Sequence, residues 1–150
     1  MILWRISNHR SLDGTGGLRA SGRWHTRGRR IVYCCDHPAT ALLEVLAHFN
    51  SSIEDVPVRY TLLKIDAPAD VSTSRIEPTV LRGSWRHRTA VTRKLGDEWI
   101  GKGDAALLTV PCALVPETWN VLVNPLHPEH ETIKIVAIYE QPFDTRLVPR

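Results

Sequence analysis

Four polar residues stand where they could act on a substrate: Arg23 in Gly22-Arg23-Trp24-His25, Tyr33 in a β-prone run, Glu44 in a helical run, and Cys112 after a buried strand. A guanidinium at position 23 offers a planar five-donor fork that grips phosphate or ribose better than lysine does. Its ordinary reading is a surface cation beside Trp24. Tyr33 is ordinarily core or sheet surface, and beside a cleft its ring could stack on a flat heterocycle. Glu44 with His48 four residues on is ordinarily an exposed helix pair worth about 0.2–0.5 kcal/mol. Functionally, its carboxylate could face an oxocarbenium-like centre and lower the barrier to glycosidic cleavage. Only the grouping lifts these residues above their ordinary readings.

Other constellations fail on spacing or context. Gly14-Thr15-Gly16-Gly17 lacks the strand–loop–helix setting and spacing of a dinucleotide fingerprint. His127 and His130 sit in a Pro-rich, acidic loop without the further ligands that zinc requires, so no metal is expected. No Ser, His and Asp arrangement resembles a nucleophile elbow, and Cys34-Cys35 reads as buried strand filler.

The elements that must position these residues follow from pattern. Ile2 to Ile6 is a short buried strand. Leu12 to Gly22 is too rich in Gly, Ser, Thr and Asp for a helix and is expected to be a long loop. Arg30 to Cys35 reads as a strand, then a helix capped by Asp36, with Pro38 in its first turn, runs to about Phe49. On that helix Leu42, Leu43, Val45, Leu46 and Phe49 share one arc, and Glu44 and His48 share the other. Val58 to Ile65 is a strand, Asp66 to Glu77 irregular linker, and His87 to Ile100 a polar helix closing at Gly101. Ala105 to Val110, ended by Pro111, and Thr132 to Tyr139 are further strands. Strands mixed with two helices, without strict βαβ alternation, predict an α+β domain with a substantially antiparallel sheet.

The 150 residues, 43% of them hydrophobic, suit one domain over 1–150. The early charge at Arg5 and the absence of a long apolar run argue against a signal peptide or membrane span, so a cytoplasmic protein is expected. Three cysteines, two of them adjacent, fit a reducing compartment. Net charge is only +3, yet Arg10 to Arg30 holds six arginines against one acid, Asp13. That stretch could bind phosphates of a small molecule or of nucleic acid, or be a solvated face. A nucleic-acid module is disfavoured because the arginines follow a glycine-dense loop rather than a recognition helix.

In order, Leu3-Trp4-Arg5-Ile6, Gly14-Thr15-Gly16-Gly17-Leu18-Arg19, Gly22-Arg23-Trp24-His25, Val32-Tyr33 and Leu42-Leu43-Glu44-Val45-Leu46-Ala47-His48 resemble the RES domain. The resemblance continues through Val110-Pro111-Cys112 and Asn120-Val121-Leu122-Val123-Asn124-Pro125-Leu126-His127-Pro128 and spans nearly the whole chain. It implies a compact fold similar to ADP-ribosyltransferases and the toxin of a toxin–antitoxin pair that cleaves NAD at the nicotinamide glycosidic bond. Arg23, Tyr33 and Glu44 match the family's arginine, tyrosine and glutamate. Cys112 stands at the family serine, replacing a hydroxyl by a weaker donor.

On this resemblance Arg23, Tyr33, Glu44 and Cys112 are the catalytic set, with Arg5 and Arg19 as further substrate-binding candidates beside Arg23 and Tyr33. NAD is then substrate, with no separate cofactor. The implied partners are an Xre-type helix-turn-helix antitoxin and a second copy of the chain within the toxin–antitoxin complex, without nucleic-acid or membrane contact by the chain itself. A protein ADP-ribosyltransferase, or a weakened, binding-only relative made credible by Cys112, are the alternatives.

Overall fold

Alternation along seven strands sorts the side chains of this protein onto two sheet faces, and both faces are covered. The computed structural model describes residues 1–49 and 56–147. Its strands are β1 (Ile2–Ile6), β2 (Val32–Cys35), β3 (Arg59–Asp66), β4 (Thr73–Arg75), β5 (Leu107–Pro111), β6 (Trp119–Val123) and β7 (Lys134–Pro142). They form one sheet in the order β4-β5-β6-β2-β1-β3-β7. Every pairing is antiparallel except β4 with β5. The helices are α1 (Gly16–Arg19), α2 (Pro38–His48) and α3 (Thr89–Lys102), and short 3-10 helices include Trp85–His87 and Pro128–Thr132. The expected α+β class with a mostly antiparallel sheet is what the chain adopts.

Register explains the two cores. Leu3, Val32, Cys34, Leu63, Ile65, Leu107, Val121 and Val123 point to one face and join Leu12, Ala67, Val71 and Ile133. Leu108, Val110 and Leu122 point to the other and join Trp24, Ile31, Leu81, Trp85 and Trp99, with Tyr33 packed against them. Each fully buried large side chain contributes about 1.5–3 kcal/mol. The second core thus anchors Trp24, and with it Arg23, on the face that carries Tyr33.

Several element boundaries differ from expectation. The Gly-rich segment contains one helical turn, α1, closed by Ala20 N–H donating to Gly16 O. His37, rather than Asp36, caps α2, its ring accepting from the Ala39 N–H at 3.2 Å with Pro38 at the first position. α3 ends at Lys102, where Gly103 at φ 66° supplies the left-handed cap one glycine beyond the expected Gly101. The expected linker after Asp66 contains β4, a three-residue strand stabilised by its parallel ladder to β5. Asp36 instead accepts from the Trp119 N–H at 3.2 Å, tying the start of α2 to β6.

Candidate active site

The second sheet face holds a connected set of polar groups. Cys35 pairs with Asn120, Tyr33 with Leu122, and Val110 with Asn120, so Tyr33, Asn120 and Cys112 project from this face by period-two alternation. α2 packs on β1 and β2. Its deepest residues are Thr40 and Ala41, whereas Leu43 is exposed and Leu42, Val45 and Leu46 are half-buried. The apolar arc is therefore not the one turned to the sheet. Small residues let the helix approach closely on the arc that carries Glu44, and the longer Glu44 side chain reaches inward.

Glu44 Oε1 accepts two hydrogen bonds, from Asn120 Nδ2 at 2.8 Å and from the Cys112 thiol at 3.4 Å. Among the described residues no group donates to Oε2. Cys112 is itself fixed, its sulfur accepting from the Leu114 N–H at 3.4 Å and its N–H donating to Thr118 O at 3.0 Å.

On the other side, Arg23 Nη1 donates to Arg86 O at 2.7 Å and its guanidinium carbon lies 6.0 Å from the Trp85 ring centre. The Arg86 guanidinium sits 4.8 Å over the same ring and its Nε donates to Ala113 O at 3.0 Å. Arg86 thus links the Arg23 side to the residue next to Cys112, which in turn touches Glu44. Two guanidinium groups flanking one indole make a ready anion-binding edge.

Three side chains of α3 hold the Arg23 segment by its backbone. Thr92 Oγ1 donates to Arg23 O at 2.6 Å, Arg93 Nε donates to Gly22 O at 2.8 Å, and Asp97 accepts from the Thr26 N–H at 2.9 Å and the Thr26 hydroxyl at 2.6 Å. Gly96 lies directly against the Trp24 carbonyl, where a Cβ would meet the oxygen at 1.7 Å.

Tyr33 is fixed by its hydroxyl. His25 Nε2 lies 2.9 Å from Ala20 O and so carries the ring proton, leaving Nδ1 to accept from the Tyr33 hydroxyl at 2.8 Å and the Gly22 N–H at 3.2 Å. The Tyr33 oxygen also accepts from the Trp24 N–H at 3.0 Å. Burial pushes the phenol far above its ordinary pKa, so it stays protonated. Its hydroxyl is thus engaged by protein groups, and its ring packs against the second core.

His25 is buried, and burial, the dominant influence, pushes its pKa below 6.5 against the upward pull of the Ala20 and Gly17 carbonyls. A depressed folded-state value means that the neutral ring's stabilisation is complete above the unfolded value of 6.5 and is lost as pH falls toward the folded one. The hydrogen-bonded carboxylates of Asp13, Glu129 and Asp144 are also held low, but their contribution is lost only below unfolded values of 3.8 to 4.5. The thermal midpoint is therefore expected to drop as pH falls below about 6.5, before those carboxylates titrate. His25→Gln is expected to remove that step, and an unchanged step in the variant would assign it to another group.

Of the expected residues, Glu44 and Cys112 are in direct contact, Tyr33 shares their sheet face, and Arg23 reaches them through Arg86. Arg5 is corrected. Leu3 and Leu63 mark its face, Leu63 being its register partner, so alternation turns Arg5 away from Tyr33, and its guanidinium donates to Ser11 O at 3.5 Å. Arg19 is exposed at the end of α1, on the segment that leads to Arg23. Cys34 and Cys35 are buried in β2 as expected, and burial raises both thiol pKa values, that of Cys34 to about 12. Among the described residues no group of three or more His, Cys, Asp or Glu could hold a metal, and no helix is long and apolar enough to cross a membrane.

Sequence reasoning missed Asn120, Arg86, His25 and the α3 residues as parts of the site. Gly96 carried a signal, because glycine within a helix costs about 1 kcal/mol relative to alanine and usually marks close packing.

This is an α+β fold with a mostly antiparallel sheet. It superposes on a chain of the Mycobacterium tuberculosis MbcT–MbcA toxin–antitoxin complex with a TM-score of 0.71 at 15% identity, covering 94% of this chain and 84% of the other. The RES domain matches residues 2–145, and the chain belongs to that family. It is 45% identical over 135 residues to Toxin Res of Pseudomonas putida, covering 90% of this chain and 92% of the relative. It is 33% identical over 155 residues to the Prs ADP-ribosylating toxin of a Sphingobium species, covering 97% and 95%.

Proposed function

We propose that this RES-domain toxin cleaves NAD at its nicotinamide glycosidic bond. The observation that carries the reading is the Glu44 carboxylate, secured through Oε1 by Asn120 and Cys112, with no donor to Oε2 among the described residues, on the face shared with Tyr33. Arg23 and Arg86 suit the pyrophosphate, and the Tyr33 ring suits the flat nicotinamide. As the bond between ribose C1′ and the ring nitrogen breaks, its electron pair neutralises the pyridinium, and positive charge develops on the ribose. Glu44 stabilises that charge electrostatically and orients the ribose hydroxyl or the acceptor. Water as acceptor forms the new C1′–O bond and, after losing a proton, gives ADP-ribose. Phosphate gives the phosphorolysis product.

A protein side chain as acceptor gives ADP-ribosylation, a second reading favoured by the similarity to a relative named for ADP-ribosylation. Likeness to one chain of a toxin–antitoxin complex supports a cognate antitoxin, of the Xre type on the family resemblance. Within that complex the toxin pairs with a second copy of itself, acts in the cytoplasm and uses NAD as substrate with no separate cofactor.

The test is nicotinamide release by the purified chain, free of antitoxin, with water, phosphate or cell extract supplying the acceptor. Release establishes glycosidic cleavage and the acceptor that speeds it. No release with any of them overturns the reading in favour of a binding-only domain. Cys112→Ser replaces a weak donor by a stronger one toward Glu44 Oε1, so turnover is expected to hold or rise. A sharp fall in kcat in that variant would give the thiol a role of its own.

A further inference from the structure

Asn120 sits at the base of the site with only half of its amide used. Glu44 is acceptor-only when ionised, so the Asn120 group facing Oε1 at 2.8 Å must be the amide nitrogen. That contact fixes the orientation of the whole amide. Its carbonyl oxygen is buried and, among the described residues, without a hydrogen-bond donor, in a residue that is only 8% exposed. A buried acceptor left unpaired carries an uncompensated desolvation cost. The cross-strand partners of Asn120 are Cys35 and Val110, and among the described residues neither they nor any other group donates to this oxygen. The only other unpartnered buried side-chain atoms among the described residues are the indole nitrogens of Trp24 and Trp99, which are donors. An unsatisfied acceptor that shares its amide with the group holding Glu44 is placed to receive a donor from the substrate.

We propose that Asn120 touches substrate: its nitrogen holds Glu44, and its oxygen accepts a hydrogen bond from the ribose 2′-hydroxyl, next to the carbon at which the glycosidic bond breaks. This rests on the NAD reading. The choice of hydroxyl follows from position, because Asn120 is tied to the carboxylate assigned to that carbon, and the neighbouring 2′-hydroxyl is the donor nearest to it. Ring amides and phosphates do not fit as well: the carboxamide lies toward Tyr33, and phosphate oxygens are acceptors like Oδ1. Donation to Glu44 replaces much of what the weak Cys112 thiol cannot supply. Asn120 is thereby a positioning residue for Glu44 as well as a contact to the sugar.

The experiment is a double cycle of Asn120→Ala against removal of the 2′-hydroxyl, reading nicotinamide release from NAD and from 2′-deoxyribosyl NAD. The differing intrinsic lability of the two substrates cancels in the cycle. Asn120→Ala is expected to lower kcat/KM for NAD about tenfold to a hundredfold, the loss from one buried hydrogen bond and a loosened carboxylate. With the deoxy substrate the same substitution is expected to cost markedly less. Equal losses on both substrates overturn the hydroxyl contact while leaving NAD cleavage standing. No release by the wild type overturns the NAD reading itself, and this proposal with it.

Should the alanine variant fold poorly, Asn120→Leu keeps the volume and removes the unpaired oxygen. It also removes the Nδ2 donation to Glu44, so its midpoint is expected to stay near that of the wild type while turnover is lost. Wild-type turnover by the folded leucine variant would overturn the proposal.

Discussion

Glu44→Gln is expected to lower nicotinamide release by at least about a hundredfold, the scale set by losing one preorganised electrostatic contact to a transition state. The substitution is nearly isosteric. Asn120 Nδ2 can still donate to the retained amide oxygen, so the base of the site keeps its hydrogen bond. What changes is the outer position, where Oε2 becomes an NH2. A neutral donor there neither stabilises a developing cation nor accepts from a ribose hydroxyl. Because Glu44 is half-buried on a helix, the fold should survive with a midpoint close to the wild type. Circular dichroism and thermal unfolding check the fold, and release of nicotinamide checks the chemistry. A folded variant with wild-type turnover would remove Glu44 from the reaction.

Gly96→Ala is expected to be the most damaging small change outside the carboxylate, costing about 3 kcal/mol or more by urea denaturation. The added Cβ would lie 1.7 Å from the Trp24 carbonyl oxygen and 2.8 Å from its carbon, so backbone must move against backbone. Either α3 lifts from the sheet or the Arg23 segment shifts, and both outcomes pull Thr92, Arg93 and Asp97 off their acceptors and donors. At Gly101, in the same helix, an added Cβ would meet nothing within 4 Å. Its replacement by alanine should stabilise the protein by about 0.5–1 kcal/mol, since only helix propensity changes. If the two alanine variants had equal stability, the close approach at Gly96 would be unimportant. Nicotinamide release by Gly96→Ala is expected to fall along with stability.

Long apolar runs made β1, β2, β3, β5 and β7 legible, and α2 and α3 followed from periodicity and their flanking Pro and Gly. β4 was hidden because Thr73-Ser74-Arg75 is polar and forms a strand only through its ladder to β5. α1 was hidden by its two leading glycines, which have poor helix propensity and are held by turn hydrogen bonds instead. Arg23, Tyr33, Glu44 and Cys112 stand out in the sequence through their co-occurrence in order, each alone having an ordinary reading, and of these the fold brings Glu44 and Cys112 into direct contact. Period-two alternation carried from Leu3 places Arg5 on the face opposite Tyr33. Asn120 could not be found by spacing, since its partner lies 76 residues away in sequence.

α3 grips the neighbourhood of the arginine by main-chain atoms: the carbonyls of Gly22 and Arg23 and the N–H of Thr26, none of which depends on the side chain at position 23. α3 is therefore blind to what that position displays, and only the Arg86 carbonyl and the Trp85 ring read the guanidinium itself. Lysine, glutamine or alanine would be held on the same track as arginine, and a series of replacements there would sample guanidinium chemistry with the architecture nearly constant. Selection can likewise retune this position toward another anion without rebuilding the helix that supports it.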